Sequence, residues 1–589
     1  MEPLITVDPA QLRHVPIVHQ AAVVVVVVVV AQHIGQHHHH RVLLQALLPV
    51  HLIVEEVLRE VHVLLQEVLQ EVLREVLRED VDKKINNAKS LIMKKLLFIF
   101  VSFLFISNVN AQTLADVIRY SRSDLQGTAR AAAMGNAFGS LGGDFTSVSI
   151  NPAGLGVYRS DEFSLTAAYT GKNVNANYLG MDSKESTSFL SIPSMGYVSS
   201  FKNSSSNRGS LVNINFGVGF NRTNNFKINR YVSGNDARSS MLDFFVENAN
   251  EVGNSDDLDD FYEKAAWETY MLDYGVRGQL YSHRIADGGY GQNQIKSFSQ
   301  SGYTNEYNFS IGLNFNHKIY AGFSLGIQDL YFKETTELVE FDPGNKFDNF
   351  KEYSFFTYLK TDGVGVNGKL GLIIKPVNEL RLGVALHTPT FYSFDDFYYN
   401  DMTSVATDDD GVMTNYTYNS PDGKSKYEFQ SPWKAVFSAS FVGKVGLISV
   451  DCDFIDYSSA KLRSGGSSLM REQMREQIEQ SFKPVANLHV GGEFKVNDSF
   501  SLRAGMEYMP GPYKKVINGV ELLNGNNKAY TYSGGVGWRS NGFFVDLAYK
   551  YYTNNHYMDI YIPSSTNQVS PTRFKDAFDY LSLTFGFRF

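Results

Sequence analysis

The last nine residues of this 589-residue chain, Leu581 to Phe589, read LSLTFGFRF and alternate without a fault. Successive side chains of an extended strand point to opposite faces, so Leu581, Leu583, Phe585, Phe587 and Phe589 share one face. Ser582, Thr584, Gly586 and Arg588 share the other. Five large apolar side chains on one strand face need a covering layer, and the residues here end without supplying one. Lipid is the simplest cover, and an ordinary sandwich edge strand is the alternative.

Other segments repeat the pattern. Val212, Ile214, Phe216, Val218 and Phe220 alternate with Asn213, Asn215, Gly217, Gly219 and Asn221, and Tyr307 to Phe315 alternates with Asn308 to Asn316 in the same way. Leu488, Val490, Phe494 and Val496 oppose Asn487, His489, Glu493 and Lys495, while Phe500 to Tyr508 opposes Ser501, Arg503 and Glu507. The second faces are mostly Asn, Ser and Gly, which suits a narrow, partly filled lumen better than a solvated sandwich face rich in Lys and Glu. Composition agrees: 34 Tyr, 42 Phe and 48 Gly stand against one Cys, and a net charge of −9 offers no polybasic surface for nucleic acid. An aromatic residue closing an amphipathic last strand also resembles the ending of bacterial outer-membrane β-barrels, where it serves as an assembly signal.

Residues 1 to 82 do not belong with the rest. They contain no Lys, no Asn and no Phe, Tyr or Trp, yet hold the valine run Val23 to Val30, the histidine run His37 to His40 and a four-residue Glu/Val/Leu repeat. A metal site at the histidines is one reading; a start codon assigned too far upstream is the other, since Met93 opens a secretory signal. Lys94 and Lys95 are its positive end, Leu96 to Ile106 its apolar core, and Val109-Asn110-Ala111 its cleavage site. An apolar core of eleven residues is too short to span a bilayer as a helix. The expected organisation is therefore an upstream extension (1–92), a signal peptide (93–111), a plug or hatch (112–160) and a barrel (161–589).

The segment Gly127 to Tyr169 is rich in small residues, with seven glycines up to Gly156 and an Asn151-Pro152 pair that rule out one long helix. Its glycines lack both phosphate-loop and dinucleotide spacing. Arg130-Ala131, Met134-Gly135-Asn136-Ala137, Asp144 and Asn151-Pro152-Ala153-Gly154-Leu155 resemble the N-terminal hatch of the FadL-type outer-membrane transport proteins, carriers of long-chain fatty acids and aromatic hydrocarbons. The resemblance spans Gln112 to Phe589 and implies an all-β, transmembrane antiparallel β-barrel of about fourteen strands, plugged by the hatch, with partly helical extracellular loops. It assigns the gate to Asn151, Pro152, Ala153 and Gly154, because a turn held by Pro and freed by Gly can adopt two discrete positions.

The longest insertion, from about Asn224 to Ser301, carries two helix signals. Ser239 and Ser240 can cap a helix bearing Met241, Leu242, Phe245, Val246 and Ala249; Asn254 or Ser255 can start a second that puts Leu258, Phe261, Tyr262 and Ala265 on one face. Phe244, Phe245, Phe261, Tyr262 and Trp267 either pack on the barrel rim or form a landing site for ligand arriving from outside. A third helix is expected over Leu469 to Phe482, packing through Met470, Met474, Ile478 and Phe482. The run Asp408 to Gly411 lacks the ligand spacing of a calcium loop and reads as a solvated turn, and the scattered His283, His317, His387, His489 and His556 give no metal set. No GxSxG elbow is present, and Arg503, Glu507, Asp546 and Lys550 read as a structural network in the lumen.

The sequence thus points to a passive outer-membrane channel of a Gram-negative bacterium for hydrophobic small molecules, needing no cofactor, no metal and no catalysis. Its expected partners are the hydrophobic ligand, outer-membrane lipid and lipopolysaccharide, and the barrel assembly machinery, with the barrel acting as a monomer. A receptor or scaffold for haem or secreted proteins is the alternative, with a surface enzyme acting on lipid behind it.

Overall fold

The computed structural model describes residues 114–203, 211–275, 280–517, 520–565 and 567–589. The proposed upstream extension and signal peptide lie outside the described residues. Fourteen antiparallel strands follow in chain order: β1 (Glu162–Tyr178), β2 (Met181–Lys202), β3 (Leu211–Asn225, resumed at Ile228–Gly234), β4 (Asn293–Phe315), β5 (Ile319–Phe341), β6 (Phe350–Ile374), β7 (Leu380–His387, resumed at Phe391–Thr407), β8 (Met413–Asn419, Gly423–Gln430 and Lys434–Val442), β9 (Gly446–Asp456, resumed at Lys461–Ser464), β10 (Pro484–Lys495), β11 (Phe500–Pro510), β12 (Lys528–Ser540), β13 (Phe543–Met558) and β14 (Thr572–Arg588). Each pairs with its sequence neighbour, and β1 pairs with β14 from Glu162 opposite Arg588 to Asn177 opposite Arg573, which closes the wall and leaves it no edge.

The alternation seen in the sequence sorts side chains as expected. Leu581, Phe585 and Phe587 point outward, while Ser582 and Thr584 are buried in the lumen. Asn213, Asn215, Asn308 and Asn314 face inward, opposite the outward Phe216, Val218, Phe309 and Ile311. Leu190 is 81% exposed. Burying a large apolar side chain is worth about 1.5–3 kcal/mol, so an outer surface of such residues is stable only against hydrocarbon.

The strands break where the backbone loses a donor. Pro389 separates the halves of β7, and Pro421 and Pro432 separate the pieces of β8, since proline cannot donate to a ladder. One end of the barrel carries tight turns. Asn541 and Gly542, both at positive φ, join β12 to β13, and the Asn497 side chain accepts from the Ser499 and Phe500 amides between β10 and β11. The opposite end carries the long connections 235–292, 465–483, 511–527 and 559–571.

The longest of these is shorter than the sequence suggests, because β3 resumes and β4 starts early, leaving 235–292. Ser240 caps the expected helix Met241–Val252, with Asp243 completing a capping box. The second expected helix is divided: Asn254 caps a single turn, Ser255–Asp257, and the α-helix forms only at Glu263–Glu268. Between them Leu258 is buried and the Asp259 carboxylate accepts from the Phe261 amide, so tertiary burial overrides local helix signals. The third helix, Ser468–Ser481, packs through Met474 and Ile478.

Candidate functional site

The lumen is filled from inside by residues 114–160. Their helix α1 (Leu114–Ser121) stands in the upper lumen, where Tyr120 donates to Thr361 Oγ1 (3.1 Å) and packs on Phe394 with ring centres 4.7 Å apart. Arg119 pairs with Asp116 on its own helix and with Glu334 on β5. Below it the hatch is held from every side. Thr584 Oγ1 on β14 accepts from the Ala129 amide (2.7 Å), Asp451 on β9 from the Gly139 amide (2.6 Å) and Glu306 on β4 from Ser149 Oγ (2.7 Å). Asn215 on β3 donates to the Leu155 carbonyl (2.6 Å), and His387 Nε2 on β7 bonds the Ile150 carbonyl (2.8 Å). Such short backbone pieces leave many amides and carbonyls without helical partners, and the polar lumen face supplies them.

Asn151, Pro152, Ala153 and Gly154 lie together at one seat against β5, β6 and β7. Asn151 caps the following 3₁₀ turn, Pro152–Val157, through Oδ1, while its amide donates to the Gly139 carbonyl (2.6 Å) and, at longer range, to the carbonyls of Leu372 and Val384. All four residues are buried. The seat exists because the wall is bare there: a Cβ on Gly371 would lie 1.9 Å from Asn151 Oδ1, and one on Gly322 2.2 Å from the Pro152 carbonyl carbon.

Beside the hatch a buried charge network joins plug to wall. Arg503 on β11 bonds Glu493 on β10 (2.7 Å) and Asp546 on β13 (2.6 Å), and Arg130 of the hatch bonds the same Glu493 (3.1 Å). Lys550 pairs with Glu507 at 3.2 Å. Of the four residues read as one network in the sequence, Arg503 and Asp546 join this cluster while Lys550 and Glu507 form a pair of their own, and Glu493 and Arg130, left out of that reading, tie the cluster to the hatch.

Two cavities flank α1. The larger, about 590 Å³, mixes apolar walls (Phe226, Ile228, Tyr513, Met558, Phe578) with cations, among them Arg122, Lys172 and Arg230. Arg230 is paired with Asp576 (3.3 Å); Lys172 donates to the Asn225 carbonyl (3.0 Å) and sits over the Phe578 ring. The smaller, about 160 Å³, lies toward β6 to β10 and has polar and charged side chains such as Glu306, Lys369, His387 and Glu507 in its lining. Arg122, Ser123 and Asp124 border both.

Behind the larger cavity the wall has a seam. The β2–β3 ladder runs from Lys202 opposite Asn213 up to Ser194 opposite Asn221 and stops. Pro193 follows, β2 bulges there against β1, and the resumed half of β3 pairs with β4 alone. Across the seam the contacts are side-chain ones: Thr187 Oγ1 accepts from the Asn229 amide (3.0 Å), and Ser183 bonds Ser233 (3.1 Å). Strand β3 shifts register against β4 between Arg222 and Asn224 and breaks before Ile228, where Phe226 is buried against Phe332, 5.3 Å between ring centres. The sequence signals were Pro193 and the polar run Arg222-Thr223-Asn224-Asn225, whose meaning depends on the partner strand.

At the long-loop end the five aromatic candidates divide. Phe245 is fully buried against Phe355 of β6 (5.4 Å). Phe244 and Tyr262 are half-buried and meet each other edge to face (6.3 Å), Phe261 lies against Tyr398 (5.1 Å) and Trp267 against Tyr281 (5.7 Å). This apolar cluster runs down into the barrel, since Ile228, Met558 and Phe578 belong both to it and to the larger cavity. His283 and Asp243 bond here at 2.9 Å, but His283 Nδ1 accepts from the Ala286 amide, so the ring has no nitrogen left to activate a nucleophile. Asp408 is a turn residue, its carboxylate accepting from the amides of Asp410 and Val412.

Glu263, on the helix of the same insertion, is buried with Asn248 Nδ2 at 2.6 Å, and burial pushes its carboxyl from the ordinary 4.5 up to about 7. A raised carboxyl keeps its proton in the folded insertion where the unfolded chain has lost it, so stability is full below about 4.5 and falls as pH rises through 7. Amide hydrogen exchange in residues 241–268 should therefore speed up between pH 5 and pH 8 beyond its intrinsic pH dependence. Glu263→Gln should flatten that excess, and an unchanged excess in the variant would reject the assignment.

The family model described as outer membrane protein transport protein (OMPP1/FadL/TodX) matches residues 287–560. No curated protein sequence matches the chain. Among solved structures, a Pseudomonas aeruginosa FadL homologue is 14% identical, with 79% of this chain and 98% of that one covered at a TM-score of 0.48. The Pseudomonas putida toluene transporter TodX is 12% identical, covering 79% and 99% at 0.45, and the Ralstonia pickettii toluene transporter TbuX 13% identical, covering 78% and 98% at 0.40.

Proposed function

Because the chain belongs to the FadL-type family of outer-membrane transport proteins, which pass hydrophobic substrates across the outer membrane of Gram-negative bacteria, we propose that it takes up amphipathic molecules such as long-chain fatty acids by a passive route. The observation that carries this reading is the 590 Å³ cavity, apolar in its walls and cationic at Lys172, lying between an aromatic outer cluster and an unladdered wall seam. An alkyl chain gains from the Phe226, Ile228 and Phe578 surface, while Lys172 gives a carboxylate a charge-assisted partner in a low-dielectric site. A toluene-like solute would use the apolar walls alone, so a preference for carboxylates separates the two cargo classes.

In this reading Phe244, Phe261, Tyr262 and Trp267 receive ligand at the outer surface, with the buried Phe245 as their floor. Cargo then passes to the cavity and leaves sideways at the seam or downward past the hatch, whose Asn151-Pro152-Ala153-Gly154 turn is the gate. The outward Leu581, Phe585 and Phe587 of β14 are the surface offered to lipid and to the barrel assembly machinery. Replacing Asn151 and Pro152 together by Ala should slow uptake of a labelled long-chain fatty acid by whole cells several-fold, with barrel assembly intact as judged by heat-dependent gel migration. Unchanged uptake would remove the gate from this turn.

A further inference from the structure

At the short-turn end, under the hatch, lies a third cavity of about 320 Å³. Six cations line it, Arg130, Arg159, Arg381, Lys495, Arg539 and Arg588, against one carboxylate, Glu493. Internal pairing does not use up this excess. Glu493 is shared by Arg130 and Arg503, and Arg588 is held by Glu162 at 2.6 Å. Arg381 donates one bond, to the Leu141 carbonyl (2.7 Å), and its Nε is buried without a partner. The Arg539 side chain makes no hydrogen bond among the described residues; its Nε is also buried without a partner, and its guanidinium lies over the Phe544 ring. Burying guanidinium groups with unmet donors beside further cations is costly, and a structure that keeps them is organised for an anion.

We propose that this vestibule is an anion-binding site, recognising a carboxylate or phosphate head group through Arg381 and Arg539, with Arg159 and Lys495 at its mouth. Guanidinium suits this role because its planar fork meets both oxygens of such a group. The hatch residues Leu141, Gly142 and Gly143 form the ceiling, so the site lies on the inner side of the plug and reads the same charged end of an amphiphile that Lys172 reads above it. The identity of the anion as cargo rests on the channel reading; the site itself rests on the cation excess alone.

The test is calorimetric titration of the purified full chain in a neutral detergent, with sodium dodecanoate and separately with inorganic phosphate. Wild type should bind dodecanoate at two classes of site. Arg381→Gln with Arg539→Gln should lose one class or weaken it roughly tenfold or more, and the Lys double variant should restore it in part. Lys172→Gln should affect the other class, so failure of this proposal and failure of the lumenal reading give different patterns. Phosphate that displaces dodecanoate from the lost class marks a bare-anion site, and phosphate without effect marks one that also needs the chain; both outcomes support an anion site. If the double variant does not fold, weakening of one class by NaCl in wild type, with Arg539→Gln alone, carries the test. Equal stoichiometry and affinity in the folded variant and wild type, or no salt dependence, would overturn it.

Discussion

Replacing Glu493 by Ala should destabilise the barrel by about 3–5 kcal/mol, the cost of removing one partner from a buried ion pair and leaving the other charged. Glu493 is the shared acceptor for Arg503, which is completely buried, and for Arg130 of the hatch. Its loss leaves Arg503 with Asp546 alone among its ion-pair partners, at 2.6 Å, and deprives Arg130 of its ion-pair partner, with Arg539 close by. Urea unfolding of the purified protein, followed by loss of heat-dependent gel migration, should show a midpoint well below wild type. Arg130→Ala should cost less, because the Arg503 pairs survive and only the tie to the hatch is cut. Equal effects of the two substitutions would mean that the network belongs to the hatch rather than to the wall.

The second large effect is expected at the hatch seat. Gly371→Val places side-chain atoms where Asn151 Oδ1 now sits, 1.9 Å from the position of a Cβ, and Gly322→Val does the same beneath Pro152. The ladders of β5 and β6 tolerate valine, so the conflict falls on the turn, which must lift. Overpacking of about 1–3 kcal/mol would raise the unseated population roughly 5- to 150-fold. Permeation of a hydrophilic antibiotic through the outer membrane of expressing cells should rise accordingly, with the barrel still assembled. A folded Gly371→Val protein as tight as wild type would show that other hatch contacts seal the lumen.

The strand pattern was legible because alternation has a period of two and depends on no partner: the inward Asn213, Asn215 and Asn308 and the outward Phe216, Val218 and Phe309 follow from spacing alone. The hatch was legible as an irregular, glycine-rich unit, and Ser240 as a helix cap, since these are local backbone properties. Leu258 to Tyr262 was misread as helical for the same reason: its helix signals are local, while burial of Leu258 is decided by strands far away in the chain. Arg503, Glu507, Asp546 and Lys550 were legible as charges facing one lumen, but which pair with which was not: Lys550 and Glu507 stand apart, and Arg503 and Asp546 form a cluster with Glu493. Arg130 was not placed in it, because 363 residues separate it from Glu493.

What this sequence determined by itself is the two-faced strand, since an apolar face opposite small polar residues is covered more simply by lipid outside and a filled lumen inside than by a second solvated layer. The alternation that ends in Leu581 to Phe589 already states that. Only the tertiary structure decided where the wall lacks a ladder, which glycines admit the Asn151 turn, and which cations remain unpaired beside the hatch. Each of these depends on what a residue meets across the lumen or across a strand register, and such distances are set by closure of the barrel rather than by neighbours in the chain.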